Sequence, residues 1–166
     1  PKPISLALGY FDGVHKAHTE IIKNAVNCRK NGLAPAVLTF SENPIKALRG
    51  VDVPFLTTVE QKINILEKLG AEYIYVIDFK DIMGISKEAF VRDIVAGTLK
   101  AKEVFCGYNY HFGSGASGNS FMLEKLCAEQ KIKVTCSGAV LYDGRPISST
   151  RIRNCLVEGK LEKANE

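Results

Sequence analysis

The stretch that most constrains the fold is Leu6 to Ile22, LALGYFDGVHKAHTEII. It opens as an apolar run, turns through Gly9-Tyr10-Phe11-Asp12-Gly13, and enters an amphipathic segment carrying His15 and His18. A buried strand that passes through a glycine turn into a helix leaves the first N–H groups of that helix unpaired. The helix dipole adds partial positive charge at the same point. Such a junction binds anions, phosphates above all. The spacing predicts that His15 and His18 share one helix face and donate two more hydrogen bonds to that anion. The two histidines alone could also ligate a metal, but no cysteine or carboxylate at the usual spacing completes a zinc set. The turn after the first strand carries neither G-x-G-x-x-G nor G-x-x-x-x-G-K-[ST], so it is neither the dinucleotide fingerprint nor a P-loop.

The rest of the chain alternates strand and helix patterns. Ile4–Leu8 and Ala34–Phe40 read as strands apolar on both faces, as central parallel strands are. Glu72–Ile77, Glu103–Cys106, Lys131–Cys136 and Ala139–Tyr142 read as further strands. Helices are predicted from Val14 to Arg29, after a Thr57 or Thr58 cap, after Ser86, from Asn119 to Gln130, and after Ser148-Ser149. A short helical turn is expected at Ile45–Leu48, and Leu161 begins another helix. In the helix after Thr58, Ile63, Leu66 and Leu69 are expected to face the core. This order implies right-handed βαβ units: an α/β fold, a Rossmann-like parallel sheet flanked by helices. Ligands of such sheets bind beyond the carboxyl ends of the strands. That rule gathers Gly9–His18, Phe40–Pro44, Gly107–Phe112 and Ser148–Arg153 at one rim.

Composition narrows the class. The chain has 166 residues, 46% apolar and 24% charged, enough for one domain with a real core. A net charge of +4 suits phosphate ligands, and no Lys/Arg block marks a nucleic-acid surface. Five cysteines (Cys28, Cys106, Cys127, Cys136, Cys155) form no C-x-x-C pair and read as reduced core thiols of a cytoplasmic protein. No secretory leader, membrane-length apolar run or repeat is read, and the oligomeric state is left open.

Five segments in order resemble one family. GYFDGVHKAH is similar to the G-x-F-D-G-V-H-x-G-H signature of bacterial FAD synthetases, within the HxGH nucleotidyltransferase superfamily. TFSENPIKAL resembles the T-F-x-P-H-P loop, and FLTTVEQKINILEKLG the L-T-x-x-x-x-K-x-x-x-L-x-x-x-G helix. CGYNYHFGSGASG resembles the G-x-[DN]-F-x-F-G loop, and GRPISSTRIRNCLVEG the I-S-S-T-x-I-R helix start. The resemblance implies transfer of AMP from ATP to FMN, giving FAD and pyrophosphate with Mg²⁺ present. It assigns the catalytic roles to His15, His18, Ser149 and Arg153, and nucleotide contacts to these and to Gly9, Tyr10, Phe11 and Thr150. Phe40, Asn109 and Phe112 fall on the flavin side, with Asn109 also the metal candidate.

It further implies that residues 1–166 are a single FMN adenylyltransferase domain without the riboflavin kinase domain that usually follows. The partners expected are small molecules, with no nucleic acid and no membrane. Three positions depart from the pattern. Ala17 replaces the glycine of HxGH, while Glu42 and Asn43 replace the first Pro and the His of P-H-P. Two other readings stand beside this one: an HxGH-type transferase for a different phosphorylated acceptor and, resting on these departures, a nucleotide- or flavin-binding protein impaired in catalysis.

Overall fold

In the computed structural model, residues 2–165 are described. The elements, in order, are β1 (Ile4–Leu8), α1 (Lys16–Asn27), β2 (Ala34–Phe40), α2 (Pro44–Arg49), α3 (Val59–Lys68), β3 (Tyr73–Ile77), α4 (Phe79–Ile82) and α5 (Lys87–Ala89). There follow β4 (Ala101–Gly107), β5 (His111–Phe112), β6 (Gly118–Asn119), α6 (Ser120–Glu129), β7 (Lys133–Ser137), β8 (Leu141–Tyr142), β9 (Arg145–Pro146), α7 (Ser149–Val157) and α8 (Leu161–Asn165).

Five strands pair in parallel in the order β3-β2-β1-β4-β7. Every residue of β1 and β2 is buried, which is why both read as unbroken apolar runs. The edge strands β3 and β7 are only partly covered. Helices α1 and α3 pack on one face through Ile21, Ile22, Ala25 and Leu66. Phe90, Val91, Val95, Leu123 and Cys127 cover the other. From β1 the chain moves outward to β2 and β3, then returns to lay β4 and β7 on the opposite side. The crevice at this reversal, above Gly9 and Gly107, is the ligand position of such sheets.

Local chemistry explains most boundaries. Thr58 and Gln61 form a reciprocal capping box at α3, with contacts of 3.1 and 2.9 Å. Asn43 caps α2 by accepting from the Ile45 N–H at 2.9 Å, with Pro44 as the first helical residue. Asn43, standing where the resembled family has His, is thus a buried helix cap.

Several expectations need correction. Helix α1 starts at Lys16, not Val14, because Asp12–Val14 is a separate 3₁₀ turn. It ends at Asn27 and passes into a second 3₁₀ turn, Cys28–Asn31. The helix after Ser86 changes after one turn into a π-helical stretch, Phe90–Thr98, in which the Leu99 N–H reaches back five residues to Ile94. Ala139–Tyr142 shrinks to the two-residue β8, paired with β9 in a separate hairpin. Ile63 is only partly buried, and the position beside it, Lys62, turns inward instead. Cys136 is exposed and Cys155 partly so; Cys28, Cys106 and Cys127 are the buried thiols.

Candidate active site

The turn after β1 is held in unusual backbone geometry. Phe11 has φ 54° and Val14 φ 38°, both in the left-handed region that side chains avoid. Clustered strain of this kind persists only where surrounding contacts enforce it. Gly9 is required because a Cβ there would meet the Phe11 ring at 2.8 Å; that ring is buried beneath the turn. Gly13, at φ 78°, holds a left-handed backbone that side chains avoid, and a Cβ there would crowd the Leu56 side chain.

The two histidines do not share a helix face as the spacing predicts. His15 precedes α1 in extended conformation and caps it, its Nδ1 accepting from the His18 N–H at 3.4 Å. The rings stack face to face, 3.6 Å between centroids and 18° apart in plane, and His18 meets the edge of Phe11 at 5.3 Å. With Nδ1 of His15 accepting, its proton sits on Nε2. Burial lowers the pKa of His15 to about 4, against an upward pull from Asp12. Burial, then the neighbouring His15 and Lys62, hold His18 well below the usual imidazole range. Both rings are therefore neutral at pH 7, each with one N–H to give. The Nδ1 of His18 is buried without a hydrogen-bond partner, and the N–H groups of Lys16 and Ala17 have no intrahelical acceptor. An anion such as phosphate carries the acceptors that these donors lack.

Beneath the turn lies a buried charge network. Asp12 is 2% exposed, and its Oδ1 accepts from the Leu56 N–H (2.9 Å), the Thr57 N–H (3.1 Å) and the Thr57 hydroxyl (3.4 Å). Its Oδ2 pairs with Nη2 of Arg153, whose Nε donates to the Pro54 carbonyl at 2.6 Å. Ser149, at the start of α7, donates to the Asp12 carbonyl at 2.9 Å. Ser149 and Arg153 thus fasten α7 to the underside of the turn. Thr150 is exposed and lines neither of the two cavities described below. Arg151 holds the β8–β9 hairpin, donating to the carbonyls of Tyr142 (2.8 Å) and Arg145 (2.9 Å).

Two cavities flank the histidine pair. One, of about 300 Å³, reaches His18 and is walled by Phe40, Phe79, Tyr110 and Phe112, with Asn109 and Gly9 at its polar end. Phe40 and Phe112 are buried and serve both as core and as cavity wall. The other, of about 440 Å³, reaches His15 and is lined by Lys16, Thr57, Ser148, Arg151 and Lys163. Of the predicted residues, Gly9, Tyr10, Phe11, His18, Phe40, Asn109 and Phe112 gather around the first cavity. His15 faces the second.

Two charged residues at the site carry no signal in the sequence of the role their partners give them. Lys62 lies inside the L-T-x-x-x-x-K segment, but its burial against the turn carries no local signal. Asp12 reads as a residue bonded to its own turn, whereas its partners are 44 to 141 positions away. Among the described residues no group of three or more His, Cys, Asp or Glu side chains is arranged to hold a metal ion.

Residues 1–151 match the family model for FAD synthetase, and the chain belongs to that family. A Listeria monocytogenes protein described as a bifunctional riboflavin kinase/FMN adenylyltransferase is 36% identical over 165 residues, covering 97% of this chain and 52% of its own. The Bacillus subtilis protein of the same description is 33% identical over 165 residues, covering 96% and 51%. The chain spans about half the length of these curated relatives. A Streptococcus pneumoniae crystal structure, described as a macrolide-efflux protein, superposes with TM-score 0.86 at 28% identity, covering 98% of this chain and 54% of that one. No helix among the described residues of the present chain is long and apolar enough to cross a membrane. A pantoate-β-alanine ligase from Francisella tularensis shares the fold at TM-score 0.55 and 16% identity, covering 95% of this chain and 70% of its own.

Proposed function

We propose that this chain is an FMN adenylyltransferase. The phosphate of FMN attacks the α-phosphorus of ATP, a new P–O bond forms, and the bond to the β-phosphate breaks to release pyrophosphate and leave FAD. The observation that carries the reading is the pair of unlike cavities meeting at His15 and His18. The aromatic cavity suits a flat, largely apolar ring system, with Asn109 at its polar end toward the phosphates. The basic, hydroxyl-lined cavity suits a nucleotide. The stacked rings lie between the two, where phosphate meets phosphate.

The nucleophile is already anionic, so no serine, cysteine or general base is required. Catalysis then reduces to holding the two reactants in line and stabilising charge on the leaving group. His15 and His18 donate neutral N–H groups, and the first turn of α1 adds backbone donors and its dipole. In this reading Ser149 and Arg153 act chiefly by docking α7 through Asp12, and Thr150 is a lesser nucleotide contact. Mg²⁺ bound to ATP would neutralise charge on the phosphates. The Asn109 side-chain oxygen, the group that the family resemblance implies for the ion, would be its protein contact. We place the reaction in the cytoplasm.

The test is incubation of the purified chain with Mg²⁺, ATP and FMN, followed by chromatography for FAD. Riboflavin and CTP in parallel probe other acceptors and donors. FAD from ATP and FMN alone is expected. Product only with another acceptor supports a different transferase, and ATP binding without any product supports an impaired binding protein.

A further inference from the structure

Among the described residues, only Asp12 and Lys62 are both charged and buried. Asp12 is matched by Arg153; Lys62 has no carboxylate of its own. Lys62 projects from α3 to the point where β1 and β2 part. The parallel ladder between them ends as the Gly9 N–H reaches the Leu38 carbonyl at 3.3 Å. Beyond it the strands diverge, and the ammonium of Lys62 spans the gap. It donates to the Phe40 carbonyl at 2.9 Å and the Tyr10 carbonyl at 3.1 Å. It also lies 4.4 Å from the centre of the Tyr10 ring. The hydroxyl of Thr39 donates to the same Tyr10 carbonyl at 2.7 Å. No other described hydrogen bond joins the turn after β1 to the end of β2 beyond Thr39.

We infer that Lys62 is a positioning residue for the proposed transfer: its buried ammonium straps the Tyr10 turn to the end of β2 and sets a fixed positive charge beneath the histidine pair. This rests on the adenylyl-transfer reading. Turn and strand end also form adjoining parts of the aromatic cavity wall, through Tyr10 and Phe40. The strap therefore fixes the spacing between the flavin wall and the phosphate-facing backbone. Its charge leaves the buried cluster of Asp12, Arg153 and Lys62 with one positive charge in excess. A phosphate arriving at His18 supplies the missing negative charge.

Other groups face the same space. His15 stacks on His18, Asp12 and Arg153 lie below the turn, His111 lines the cavity from β5, and Glu42 lies beyond Tyr10. Burial lowers the pKa of Lys62 to about 8, with Asp12 opposing. The strap therefore loses its charge just above neutral pH, where an exposed lysine would keep it.

Three measurements decide the matter, and the two NMR readings need neither ATP nor FMN. In the wild type, the ¹³Cε resonance of Lys62 is expected to titrate near pH 8, apart from the exposed lysines. Titration together with them, above pH 10, would overturn the inference. In Lys62→Met, with fold checked by circular dichroism, the His18 titration midpoint is expected to rise on loss of a like charge. Its kcat should fall about a hundredfold, with a smaller change in the KM for ATP. An unmoved His18 midpoint with near-wild-type kcat would refute the role. Wild-type activity is expected to fall above pH 8 as Lys62 loses its proton; if Lys62→Met does not fold, Lys62→Arg decides in its place, because it keeps the charge at all pH values and that fall should vanish. Persistence of that fall in Lys62→Arg would overturn the assignment. A chain that gives the expected titrations yet makes no FAD would sink the transfer reading and leave the strap standing.

Discussion

Replacing Asp12 with asparagine perturbs stability and site assembly at once. The asparagine keeps Oδ1, and with it the contacts to the Leu56 and Thr57 N–H groups. It puts an amide N–H₂ where Oδ2 met Arg153, so donor faces donor and the guanidinium loses its counter-charge. Asp12 is 2% exposed and the Arg153 side chain 15%, so water can repay little of the loss. Removing one member of such a pair costs about 3–5 kcal/mol. For a domain of this size each kcal/mol moves the melting temperature by about 2–4 °C, so even the lower figure predicts a drop of about 6–12 °C. Urea unfolding monitored by circular dichroism gives the free energy directly, and a double-mutant cycle with Arg153→Met isolates the pair. The coupling should exceed about 1 kcal/mol. Because Ser149 and Arg153 both hold α7 to the turn, Asp12→Asn should also raise the KM for ATP. A variant that loses less than about 1 kcal/mol and keeps its ATP affinity would refute the view that Asp12 ties α7 to the site.

Three more outcomes follow from the same geometry. His18→Ala and His15→Ala should each lower kcat by about 10²–10³-fold, as for loss of one donor to a developing charge, while circular dichroism stays unchanged. Near-normal turnover in either would remove that residue from the site. Acid should destabilise the fold: His15 titrates near 6.5 when unfolded but at about 4 when folded, so the unfolded chain binds more protons between those values. Stability from this group is complete above pH 6.5 and falls as pH drops toward 4, by at most about 3 kcal/mol, and His18 adds in the same direction. Urea titrations at pH 7 and 5, repeated on the His15→Gln/His18→Gln variant, check this; equal slopes with pH in both proteins would contradict it. Ala17 lies in the first turn of α1, where a Cβ is harmless, so Ala17→Gly should leave kcat unchanged and cost about 1 kcal/mol or less. A tenfold gain in kcat would instead mean that the methyl group crowds the nucleotide.

What the sequence reveals depends on how far each residue must look for its partners. β1 and β2 are legible because burial on both faces leaves an unbroken apolar run. The Thr58–Gln61 capping box is legible because both partners lie within one turn. The β5–β6 and β8–β9 hairpins are not, since strands of two residues carry no periodicity. Nor is α4, a single turn capped by Asp78. His15 and His18 are correctly marked as a pair, but their arrangement is not: the same spacing serves two helical positions or a cap and the third residue after it. Lys62 escapes because helical periodicity assigns a lysine to the solvent face. Its acceptors lie 22 and 52 positions away, at the ends of two strands. Arg153 is legible as a cation at the rim, yet its partner Asp12 is 141 positions distant. Only the folded sheet brings them together.

The account turns on where the AMP group of ATP goes. The direct measurement is a single-turnover reaction with ATP labelled at the α-phosphorus, Mg²⁺, FMN and the purified chain in excess, resolved by chromatography with pyrophosphate measured alongside. The label is predicted to appear in FAD, with one pyrophosphate released per FAD formed. Label that remains in ATP or emerges as free AMP, with no labelled flavin while both ligands bind, would contradict it.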